Sequence, residues 1–83
     1  MRRVVIVENH EPFRMRLASF LGAEGDIEIV GQTGSLADGF SVIQQKRPDL
    51  VILNLKFLDG IGLEEFYFMM SAYPQARAIF ISC

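Results

Sequence analysis

The chain is short of several things at once. It has no tryptophan and one cysteine, Cys83, in 83 residues. One thiol excludes an internal disulfide and suits a reducing, cytoplasmic setting. No apolar run is long enough to cross a bilayer, so no membrane role is expected. The start, Met1-Arg2-Arg3, is basic, but the apolar stretch behind it stops at Glu8, too early for a secretory leader. Positive charge is not in excess: eight Lys and Arg stand against ten Asp and Glu, and the formal charge is −2. No basic patch forms along the chain, so nucleic-acid binding by this chain alone lacks its electrostatic footprint. One histidine, His10, and one cysteine leave no Cys/His cluster for a metal.

What is present is apolar matter, 51% of residues, enough to build the core of one small domain covering residues 1–83. Arg3-Val4-Val5-Ile6-Val7 is continuous and branched, which predicts a strand. A helix starts at Glu11-Pro12, with proline in the first turn. Phe13, Leu17, Phe20 and Leu21 share one face of it, Arg14 and Arg16 face elsewhere, and Gly22 and Gly25 end it. Residues 26–30 alternate and predict a half-exposed edge strand, with a turn at 31–34. Ser35 and Asp38 approximate a capping box for a helix from Leu36 to Lys46-Arg47, with Leu36, Ala37, Phe40 and Ile43 inward. Pro48-Asp49 then turns the chain.

Residues 48–65 form the organising stretch. Leu50-Val51-Ile52-Leu53 is apolar at every position, as in a parallel strand buried on both faces, and it ends at Asn54. A loop with Gly60 and Gly62 follows. It lacks the G-x-G-x-x-G spacing of a phosphate cradle, so both glycines read as turn residues. Residues 63–72 predict a helix with Leu63, Phe66, Met70 and Tyr73 along one stripe. Tyr67, Phe68 and Met69 make it apolar nearly all round, as in a helix covered on more than one side. Whether residues 66–70 are core or a partner surface stays open. Residues 78–81 predict a fourth strand before Ser82 and Cys83. The order β-α-β-α-β-α-β implies parallel strands joined by right-handed crossovers. Ligands and chemistry in such sheets sit at the carboxyl ends of the strands, here Glu8, Asn9, Asn54 and Ser82.

Those segments resemble the receiver domain of bacterial response regulators. Val7-Glu8-Asn9-His10-Glu11-Pro12-Phe13-Arg14 is similar to the family's Val-Asp-Asp-His-x-Pro-x-x-Arg, with the arginine one place early. Asp26-Ile27-Glu28-Ile29-Val30-Gly31 resembles its second strand in members that carry a DNA-binding effector. The segment from Val51 to Glu64 resembles its third strand and loop, keeping Leu55, Gly62 and Leu63 in register. The resemblance covers the whole chain. It implies a flavodoxin-like, receiver-like α/β/α fold of three layers, with a parallel sheet in the order 2-1-3-4. It also implies that the family's last helix-strand-helix portion is lacking, so that the fourth strand becomes an apolar edge.

The resemblance implies a changed chemistry as well. Where the family holds an acceptor aspartate, this chain has Asn54, and where it holds a loop proline, Leu58. The family's acidic pair is Glu8-Asn9. The backbone carbonyl of Lys56 matches a further magnesium ligand, and Ser82 matches the hydroxyl that senses the phosphoryl group. Magnesium is a hard ion that takes anionic oxygens. Three carboxylates reduced to one, Glu8, leave no magnesium and no other cofactor expected, and an amide cannot form the acyl phosphate. The expectation is a degenerate, non-enzymatic receiver domain: a vestigial metal site at Glu8, Asn9, Asn54 and Lys56, with Asn54 as a neutral plug. Its work is protein interaction in phosphorelay signalling, with itself as a homodimer, a histidine kinase or another response regulator. The alternative is an authentic phospho-accepting receiver of a transcriptional regulator, seen in shortened form or with an Asp-to-Asn substitution.

Overall fold

The computed structural model describes residues 1–54, 56 and 61–81, with Ile61 described only in its backbone. Leu55, Leu58, Gly60, Ser82 and Cys83, singled out above, lie outside the described residues. Among the described residues seven elements follow in order: β1 (Arg2–Val7), α1 (Glu11–Gly22), β2 (Ile27–Thr33), α2 (Leu36–Lys46), β3 (Leu50–Asn54), α3 (Ile61–Met70) and β4 (Arg77–Ile81). The strands form one parallel sheet in the order β2-β1-β3-β4. This is the flavodoxin-like arrangement expected from the sequence.

The two apolar runs take the centre of the sheet because a strand with side chains on both faces must be covered on both. Val4, Val5, Ile6 and Val7 are fully or almost fully buried, and so are Val51 and Leu53. Alternation sorts them into two layers. Val5, Val7, Val51 and Leu53 pack with Ile43 and Phe66 under α2 and α3. Val4, Ile6 and Ile52 pack with Leu17, Ala18 and Leu21 of α1. Burial of Phe66 contributes on the order of 1.5–3 kcal/mol, and its ring meets Phe80 edge-on at 5.8 Å.

Several expectations need correction. β2 does not stop at Val30; it runs on through Thr33, over most of what reads as a turn. Its register against β1 shifts between Val4 and Val5, so that Ile29 pairs with Val4 and Gly31 with Val5. Val30 packs into the α2 layer, and a Cβ on Gly31 would lie 2.5 Å from Val42 Cγ1 in that same layer. Two successive residues thus point under α2, and only one has a side chain. Phe20 is not in the core but 70% exposed, because α1 turns Leu17, Ala18 and Leu21 to the sheet. Ala37 is exposed, and the buried residue on that part of α2 is Gly39. α3 is not covered all round: Met69 packs on the core, but Tyr67 and Phe68 are bare. Ser35 does cap α2, accepting the Asp38 backbone N–H at 3.2 Å.

Candidate functional site at the strand ends

The parallel register brings the ends of β1 and β3 side by side. Val7 pairs with Leu53, so the next residues, Glu8 and Asn54, become neighbours on adjacent strands. Both are polar and both are buried, Glu8 completely and Asn54 to 3% exposure. Polar groups in such a place require partners, and each has them. Asn54 donates from Nδ2 to Glu8 Oε1 at 2.7 Å. Asn54 Oδ1 accepts the Lys56 backbone N–H at 2.9 Å. Glu8 Oε2 accepts the His10 backbone N–H at 2.8 Å. His10 is the N-cap of α1, so the carboxylate also lies by the positive end of the helix dipole.

The backbone of Glu8 is equally engaged. Its N–H donates to Thr33 O at 2.9 Å, tying β1 to the end of β2. Its carbonyl accepts from Arg14 Nη1 at 2.8 Å. Periodicity places Arg14 away from the apolar face of α1, and the structure folds it back over the strand end with its side chain 16% exposed. The sequence pattern assigns it no role at the site, although the near-match of its position to the family's arginine is a signal. Its Nε is buried without a hydrogen-bond partner among the described residues.

Around this pair lies an open hollow of about 430 Å³, lined by Glu8, Asn9, His10, Asn54 and Lys56. All the site residues named from sequence meet there except Ser82, which lies outside the described residues; its predecessor Ile81 pairs with Asn54. Asn9 and His10 are exposed at the rim. A larger hollow, about 580 Å³, lies between α1 and β2, lined by residues such as Met15, Ala18 and Ile27, far from this chemistry.

The donor set fits a divalent ion poorly. Magnesium takes oxygen ligands in nearly octahedral array. Among the described residues Glu8 is the one carboxylate on the hollow, and each of its oxygens already accepts an N–H. Asn54 turns a donor toward Glu8, not a ligand, and its carbonyl oxygen serves Lys56. Among the described residues no three His, Cys, Asp or Glu side chains converge.

Comparison with known proteins gives a consistent set. No protein-family model matches the chain. It is 32% identical over 82 residues to the DNA-binding transcriptional activator DevR/DosR of Mycobacterium tuberculosis, an alignment covering 99% of this chain and 38% of that protein. It is 29% identical over 80 residues to the response regulator protein VraR of Staphylococcus epidermidis, again covering 38% of that protein. The chain therefore spans well under half the length of these curated relatives. Among solved structures it matches the signal receiver domain of the response regulator NarL from Mycobacterium tuberculosis, with TM-score 0.79 and 25% identity, over 98% of this chain and 65% of that one. The response regulator PhyR from Brucella abortus shares the fold, with TM-score 0.78 and 19% identity over 95% of this chain and 32% of that one.

Proposed function

We propose that this chain, a response-regulator receiver domain of two-component signalling by its homologues and its fold, works by protein contact and accepts no phosphoryl group. One observation carries the reading: at the strand end where the family places its nucleophile, there is an amide, buried and hydrogen-bonded at both ends. Acyl phosphate formation needs a carboxylate oxygen to attack phosphorus. Asn54 Oδ1 carries no charge and is engaged by Lys56 N–H. Among the described residues the pocket offers a single carboxylate, too few for a magnesium ion. The domain is then a non-enzymatic, cytoplasmic adaptor.

The apolar margin supports contact as the mode of action. Among the described residues β4 is the outer strand of the sheet, with Ile79 and Phe80 49% and 36% exposed. Phe68 on α3 is 83% exposed. Exposed apolar surface beside a strand edge favours pairing with another chain. The first partner we propose is a second copy of this chain, and light scattering at micromolar concentration that returned only monomer would remove that partner. A histidine kinase or another response regulator is a further proposed partner, and the name of the DNA-binding relative DevR/DosR supports a DNA-binding effector in the whole protein.

The decisive experiment is incubation with magnesium and acetyl phosphate, followed by intact mass. No adduct is expected. A phosphoryl adduct lost on hydroxylamine treatment would instead make the chain an authentic phospho-acceptor.

A further inference from the structure

We infer that the side-chain amide of Asn54 is a built-in substitute for a cation: it bridges the ends of β1 and β3 permanently, and divalent ions leave the domain unchanged. The inference deepens the non-phosphorylated reading and rests on it.

The geometry carries it in three steps. Glu8 is a fully buried carboxylate that makes no ion pair among the described residues. A charge in that position needs compensation, and the compensation is dipolar: Asn54 Nδ2–H on one oxygen and His10 N–H on the other. Next, the amide has one orientation. Turning it over would set Oδ1 against the Glu8 carboxylate and the NH2 group against Lys56 N–H, two repulsions in place of two bonds. Finally, among the described residues an ion would find one carboxylate on the hollow, Glu8, whose oxygens already serve Asn54 and His10, while Asn54 Oδ1 serves Lys56. Hard dications hold their water too firmly to give it up for that set.

The test compares thermal melts of wild type and Asn54→Asp in EDTA, in magnesium chloride and in sodium chloride of equal ionic strength. Wild type is expected to melt at the same temperature in all three. Asn54→Asp, with two carboxylates converging, is expected to melt lower in EDTA and to recover in magnesium. An ion at about ten times its dissociation constant shifts the folding equilibrium roughly elevenfold. Wild type stabilised by magnesium beyond the sodium control would overturn the inference, as would an Asn54→Asp chain equal to wild type in EDTA or unmoved by magnesium. If that variant fails to fold, wild type alone decides, through amide spectra with substoichiometric manganese. Selective broadening of the Glu8, His10 and Lys56 signals would overturn the inference, and even spectra would sustain it. A phosphoryl adduct in the mass experiment would remove the functional reading without altering these melts, so the two failures are distinguishable.

Discussion

Exchanging the polarity of the Glu8–Asn54 contact tests the site from both sides. In Glu8→Gln, one of the two acceptor oxygens becomes an NH2 group. Asn54 and His10 both point donors at this side chain, so one donor must face another. A lost charge-assisted bond and an unpaired buried donor give about 2–3 kcal/mol of destabilisation. In Asn54→Asp, two carboxylate oxygens stand where 2.7 Å now separates donor from acceptor. With an effective dielectric near 20, like charges at that distance repel by at most about 6 kcal/mol, and movement or proton uptake lowers this to roughly 3–6 kcal/mol. In the double variant all contacts return. The new amide on β1 turns its NH2 to the new carboxylate on β3 and its carbonyl to His10 N–H. That carboxylate still accepts the Lys56 N–H. The double variant should lie within about 1 kcal/mol of wild type, so that the two single losses fail to add by roughly 4–9 kcal/mol. Urea unfolding followed by circular dichroism measures it. A domain of 83 residues has about 4–12 kcal/mol in all, so the variants are compared in an osmolyte that favours the folded state. Additive losses in the double variant would refute the assigned amide orientation and the bridge built on it.

Phe66→Ala removes a fully buried ring from the α2–α3 layer and its contact with Phe80. A loss of about 3–5 kcal/mol in urea titration is expected. Gly31→Ala puts a Cβ 2.5 Å from Val42 Cγ1 and should destabilise by about 1–3 kcal/mol, with much of the loss recovered when Val42→Ala is added. Ser35→Ala deletes the α2 cap at a cost of about 1 kcal/mol, read as a lower urea midpoint.

How far the sequence can be read depends on whether each side chain announces its own position. β1 and β3 are legible because runs such as Val4-Val5-Ile6-Val7 tolerate no solvated face. β2 reads too short because alternation breaks at Val30-Gly31, where a register shift places both residues on one face. A glycine filling a tight space under a helix looks, in sequence, like a glycine in a turn. Phe20 is misread because helical spacing allows two apolar stripes on α1 and only the packing shows which one meets the sheet. At the site, strand ends and the family resemblance bring Glu8 and Asn54 to notice. The direction of the amide is not legible, since it follows from the Lys56 N–H and the Glu8 oxygens arriving from opposite sides. Nor is the folding back of Arg14, which depends on where the Glu8 carbonyl points.

Every polar atom of Glu8 is engaged: its N–H by Thr33, its carbonyl by Arg14, and its two side-chain oxygens by Asn54 and His10. Three strand and helix ends are therefore fastened to one residue with no slack between them. If the domain works by contact as proposed, such a knot serves to hold the edges of the sheet in place, and partners meet the domain at its periphery.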